Sequence, residues 1–167
     1  MRFEHLIEIN DFMNPLLTPL TLAQLWQGLV LRAESPQLFQ PQIDQVNLLD
    51  RGENWLEREL HFGQLVVRDR ILFEPMVRIE YQTAANDQHD GGSLIMQIEM
   101  PEPEQLFVRF IYTTSLSETA TSNGVNLASY VRNAYQQNDM DTISIIREMA
   151  EQGALPTDVL DPDAIRH

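Results

Sequence analysis

Apolar and polar positions change period along the chain in a way that divides it into elements. From Phe3 to Asn10 they alternate, with Phe3, His5, Ile7 and Ile9 on one face and Glu4, Leu6 and Glu8 on the other, the period of a half-buried strand. Asn14-Pro15 and Thr18-Pro19 end it. Thr21 and Gln24 then form a capping box, and Leu22, Leu25, Trp26, Leu29 and Ala33 recur at helical spacing until Ser35-Pro36, with a short second helical turn about Leu38 and Phe39. Six strand-like runs follow, at 45–50, 55–62, 65–73, 77–83, 93–100 and 106–115, joined mostly by tight turns that imply an antiparallel meander. Two polar stretches, 84–92 and 117–124, read as longer loops. A last helix is predicted from Val125 to Gln152, stopped by Gly153, with Leu127, Tyr130, Val131, Ala134, Tyr135, Ile143, Ile146 and Met149 near one broad face. The order predicts an α+β fold: one domain over 1–153, a seven-stranded curved antiparallel sheet wrapped around the long C-terminal helix, then an acidic tail over 154–167.

Hairpin arithmetic predicts which side chains face inward. A two-residue turn at Gly63-Gln64 sets Phe62 opposite Leu65, Leu60 opposite Val67, Arg58 opposite Asp69 and Leu56 opposite Ile71 on one face. The other face pairs Glu59 with Arg68 and Glu57 with Arg70. A three-residue turn at 74–76 predicts Val77, Ile79 and Tyr81 beside Phe73, Ile71 and Asp69, and a five-residue loop at Pro101 aligns Ile98 with Val108, Met96 with Phe110 and Leu94 with Tyr112. The predicted inner wall is therefore aliphatic, Met and aromatic, interrupted by Arg58, Asp69, Tyr81 and Tyr112, with His5 and Thr114 as further candidates. Arg58, Asp69, Tyr81, Met96, Phe110 and Tyr112 form the predicted ligand-binding set, although a cross-strand Arg–Asp pair also has a purely structural reading, since buried charges persist only when paired.

Composition narrows the chemistry. The absence of cysteine excludes zinc-thiolate, iron–sulfur and thiol-nucleophile sites, and the absence of lysine excludes Schiff-base and P-loop chemistry. All eleven basic residues are arginine and the net charge is −14, which repels phosphate backbones and anionic membranes, so no nucleic-acid partner is expected. No run reaches the ~18 apolar residues of a membrane span, and Met1-Arg2-Phe3-Glu4-His5 carries charge where a secretory signal needs an apolar run, so a cytoplasmic location is predicted. Asp87, His89 and Asp90 lack the spacing of calcium or zincin sites, and neither a metal nor a cofactor is implied.

Phe3-Glu4-His5-Leu6-Ile7-Glu8-Ile9-Asn10-Asp11, Leu25-Trp26-Gln27-Gly28-Leu29, the Glu57-Arg58-Glu59-Leu60 to Val67-Arg68-Asp69-Arg70 hairpin with Glu74-Pro75, and Asp141-Thr142-Ile143 together resemble the AtaL-like group of the SRPBCC (START and birch-pollen-allergen-like) superfamily. The resemblance reaches to about Gly153. It implies the helix-grip fold and an internal pocket for a lipid-like, aromatic or polyketide-like metabolite; the sequence leaves both a monomer and an oligomer open. Two other functions fit the residues: an enzyme of cyclase, dehydratase or hydrolase type, with Asp69 as general base, and a protein-interaction module using the acidic surface.

Overall fold

The structure, a computed structural model, describes residues 1–155. Strand β1 (Arg2–Glu8) leads to helix α1 (Leu22–Glu34) and a single 3-10 turn (Pro36–Leu38). Strands β2 (Gln45–Arg51), β3 (Trp55–Phe62), β4 (Leu65–Glu74), β5 (Arg78–Thr83), β6 (Gly92–Glu99) and β7 (Phe107–Thr114) follow, then a two-residue ribbon, β8 (Thr121–Ser122) with β9 (Val125–Asn126), and helix α2 (Leu127–Glu151). The seven long strands form one antiparallel sheet in the order β1-β7-β6-β5-β4-β3-β2. This is the predicted helix-grip architecture.

Local chemistry sets the boundaries. At the start of α1 the Thr21 hydroxyl accepts from the Gln24 N–H at 3.0 Å, while the Gln24 side-chain oxygen accepts from the Thr21 N–H at 2.9 Å, so two otherwise orphaned donors are satisfied. The β3–β4 pairs match those predicted from Gly63-Gln64, because Gly63 at φ 61° supplies the left-handed backbone a tight hairpin needs. The β6–β7 register also matches.

The β4–β5 register differs from expectation by two residues: Ile79 lies opposite Phe73, Tyr81 opposite Ile71, and Asp69 opposite Thr83. The loop is 75–77 rather than 74–76, since Glu74 stays in the strand opposite Arg78, with an ion pair of 3.1 Å, while Met76 takes φ 65°. A shift of two leaves each side chain on its predicted face. The loop expected at 117–124 holds β8 and the Asn123-Gly124 turn, with φ of 52° and 79°, while β9 takes Val125 and Asn126 from the expected start of the last helix, which begins at Leu127 with Asn126 as its N-cap.

Helix α1 lies against the concave face of the sheet. Trp26, Leu25 and Leu29 have no exposed surface and share one core with Leu56, Ile71, Ile79, Met96, Val108 and Phe110, which are equally inaccessible. The middle of the predicted pocket is thus filled by α1. The C-terminal half of α2 adds Ile143 and Ile146 to that core. At Gly28 the helices approach so closely that a Cβ would meet Ile146 side-chain atoms at 2.6–2.9 Å. The predicted α2 face is only partly the observed one: Tyr130 and Ala134 are exposed, whereas Ala128, Asp139 and Thr142 are buried. Leu155, assigned to the tail on sequence, is buried in the core; the rest of the tail lies outside the described residues.

Candidate functional site

Polar side chains gather on the buried face of the sheet, where it meets the last turn of α1 and the middle of α2. Arg58 on β3 and Asp69 on β4 stand opposite each other and bond in a fork, Nε to Oδ1 at 2.8 Å and Nη2 to Oδ2 at 2.6 Å. Arg58 Nη1 also donates to the Ala33 carbonyl at 2.8 Å, satisfying an acceptor in the last turn of α1. Three directed bonds account for this guanidinium, and the pair locks sheet to helix.

Tyr81 on β5 lies between two cations, with the Arg58 guanidinium carbon 5.4 Å and the Arg32 guanidinium carbon 5.2 Å from its ring centre. Its hydroxyl is buried without a hydrogen bond of normal geometry, although it lies close enough to favour the charge on Arg32. Arg32 occupies the last turn of α1 and is only 7% exposed. Among the described residues its one side-chain hydrogen bond of normal geometry runs from Nε to the Thr142 hydroxyl of α2 at 3.3 Å, and no carboxylate lies within ion-pairing distance of it. Burial opposes its charge, but Tyr81, Tyr112 and Asp139 outweigh that and hold it protonated.

The third group centres on Asp139 of α2, which has no exposed surface. Its Oδ1 accepts from the Tyr112 hydroxyl of β7, and its Oδ2 faces Nδ1 of His5 on β1 at 3.4 Å. Burial raises its carboxyl pKa to about 6, against the opposing pull of Tyr112, His5 and Arg32. Burial and the neighbouring Asp139 charge push the Tyr112 phenol far above its ordinary value, so it acts as a donor. Tyr135 stacks on Tyr112 with centroids 3.9 Å apart, and Phe3, the cross-strand partner of Tyr112, lies beside it at 6.3 Å. Here the packing loosens: Phe3, His5, Val131 and Tyr135 are all partly exposed.

Arg58, Asp69, Tyr81 and Tyr112, singled out on sequence, thus belong to one polar belt. Met96 and Phe110 lie on the same face but are fully buried in the hydrophobic core, where they pack. Asp139, Arg32, Thr142 and Tyr135 complete the belt and were not among the expected site residues. One signal marked Asp139: the apolar stripe of α2 leaves a gap between Tyr135 and Ile143, and position 139 is four residues from each. At the opposite end of the sheet a cleft of about 340 Å³ lies between the β1–α1 and β6–β7 loops, lined by Asn10, Leu20, Leu22, Met100 and Leu106. Asn10 is committed there to three bonds with Leu20 and Glu104. No helix among the described residues is long and apolar enough to cross a membrane.

The profile of the AtaL family, described as acetylaranotin biosynthesis cluster protein L, matches residues 7–153. No curated protein sequence matches the chain significantly. Similar solved structures include the di-domain ARO/CYC StfQ from the steffimycin biosynthetic pathway, with a TM-score of 0.67 and 14% identity over 92% of this chain; the chain spans about half (51%) of StfQ. The Zhui aromatase/cyclase from Streptomyces sp. R1128 aligns with a TM-score of 0.56 and 15% identity, over 91% of this chain and 94% of that one. Ara h 8.0201 aligns with a TM-score of 0.59 and 13% identity, over 91% and 98%. At these identities the likeness concerns the fold.

Proposed function

We propose, since the chain belongs to the AtaL family, that it binds one small amphipathic molecule at the looser end of the concave face, with an aromatic or polyketide-like body against Phe3, Val131 and Tyr135 and an acidic or carbonyl oxygen held by the belt. The observation that carries this reading is Arg32. A buried guanidinium with one hydrogen bond is costly, because charge taken out of water must be met by opposite charge or by acceptors. Arg58, by contrast, is already matched by Asp69 and Ala33 and serves to hold the belt in shape. A ligand anion or carbonyl meeting Arg32 would also lie close to the Tyr81 hydroxyl, which has no hydrogen bond of normal geometry. On a protein of net charge −14, such a local cation is what an anionic ligand requires. That StfQ and Zhui are an ARO/CYC and an aromatase/cyclase supports an aromatic or polyketide-like body.

Fluorescence titration with 1-anilinonaphthalene-8-sulfonate, an aromatic anion, and with a neutral apolar dye tests the reading. Arg32→Met is expected to weaken the anion by tenfold or more and the neutral dye by less than threefold, on the scale of one charge-assisted hydrogen bond of about 1.5–3 kcal/mol. Equal weakening of both dyes, or of neither, contradicts it.

A further inference from the structure

His5 bonds through one ring nitrogen only. Nδ1 faces Asp139, whereas Nε2 makes no hydrogen bond among the described residues, and the side chain keeps 18% of its surface exposed. Asp139 is itself fixed by the Tyr112 hydroxyl and fully buried. An imidazole with one nitrogen oriented by a buried carboxylate, the other without a protein partner among the described residues, and a side chain that stays partly exposed has the arrangement of a general base. Phe3, two residues away on β1, lies 6.4 Å from it ring centre to ring centre, and Phe110, its cross-strand partner on β7, lies 6.3 Å away, so the imidazole is flanked by two aromatic rings. We propose that the chain also catalyses proton transfer: His5, held by the positioning residue Asp139, removes a proton from a carbon next to a carbonyl group of the bound molecule.

The step balances without a redox partner. The C–H bond breaks, the proton joins Nε2 of the neutral imidazole, and the electron pair moves through the carbonyl to leave an enolate oxygen. Arg32, whose charge acts on both Asp139 and Tyr112, is the cation available to that oxygen. The imidazolium then returns the proton to the rearranged carbon skeleton. The substrate class is therefore an enolisable carbonyl compound. The groups facing Asp139 are His5 from β1, Tyr112 from β7, Tyr135 from α2 and Arg32 from α1, so the titration of this carboxyl reports on the cluster. This inference rests on the binding reading above.

The probe is 5-nitrobenzisoxazole, a flat aromatic carbon acid whose C–H is removed as its N–O bond opens to a coloured cyanophenolate. The full chain is expected to catalyse the opening, with His5→Gln at least tenfold slower and Asp139→Asn slower with a displaced pH profile. Displacement of bound dye by the probe is followed in parallel. A rate in His5→Gln within twofold of wild type overturns the proposal. A probe that displaces dye but does not react overturns it while sparing the binding reading, whereas one that displaces no dye counts against both. Because His5→Gln can perturb folding at the sheet edge, nitrogen-15 NMR of the wild-type imidazoles provides a second readout. His5 should carry its proton on Nδ1 when neutral; the opposite tautomer overturns the proposal.

Discussion

Replacing Asp139 by Asn separates the electrostatic cost of this buried carboxylate from its packing. The carboxyl has a pKa of about 6 in the folded chain against 3.8 ordinarily. Because the folded value is the higher one, ionisation destabilises the native state: the penalty is absent well below about pH 4, grows as the pH rises through the interval to 6, and is constant above. About two units at ~1.36 kcal/mol each make it roughly 3 kcal/mol. Asn cannot ionise, and its oxygen can still accept from Tyr112. Its amide group gains an unmet donor beside His5, a cost of roughly 1–3 kcal/mol that is the same at every pH. The pH dependence of the substitution is therefore the clean quantity. Urea unfolding of both chains at pH 4 and pH 7.5 should show Asp139→Asn about 2–2.5 kcal/mol more favourable, relative to wild type, at the higher pH, since roughly 0.5 kcal/mol of the penalty is already present at pH 4. A substitution effect equal at the two pH values, or one that worsens as pH rises, would refute the assignment of Asp139 as a buried, burial-shifted acid.

The Arg58–Asp69 fork gives a second test: either single substitution, Arg58→Met or Asp69→Leu, should cost ~3–5 kcal/mol in denaturant unfolding, while the double variant should recover most of it, less about 1–3 kcal/mol for the Ala33 carbonyl left unpaired. Additive effects would mean the charges do not meet. Gly28→Ala should destabilise by ~1–3 kcal/mol through the contact with the two γ carbons and the δ carbon of Ile146, and adding Ile146→Ala, which removes all three, should cost less than the sum of the two single effects; a neutral or stabilising Gly28→Ala would place α1 and α2 further apart. A chain ending after Gly153 should melt several degrees below one ending after Leu155, since removing a buried Leu costs ~2–5 kcal/mol; equal melting temperatures would detach Leu155 from the core.

The parts legible in the sequence were those governed by local rules. Gly63 fixed a hairpin, the hairpin fixed a register, and the register placed Arg58 opposite Asp69 before any tertiary contact was known. The β4–β5 register slipped because nothing in Glu74-Pro75-Met76-Val77 identifies which non-glycine residue will accept a positive φ, yet period-two alternation kept Tyr81 on the right face. Asp139 and Arg32 were lost to average behaviour. An Asp within a helix reads as solvent-facing, and an Arg in a last helical turn reads as a surface partner of the helix dipole. Both are buried here because α1 and α2 cross over the same part of the sheet, a relation between distant segments that no local period encodes. For the same reason the filling of the predicted pocket by Trp26 and Leu29 could not be read from their helical spacing, which says only that they face inward.

Where a ligand sits decides the account most directly. Backbone amide shifts recorded while 1-anilinonaphthalene-8-sulfonate is added to the full chain would locate it. Saturable changes with one dissociation constant are expected at His5, Arg32, Tyr112, Val131 and Tyr135, with little change at Asn10, Leu22 and Leu106 around the opposite cleft. Changes centred on that cleft, or non-saturating shifts spread over the outer face of the sheet, would contradict a ligand site at the polar belt.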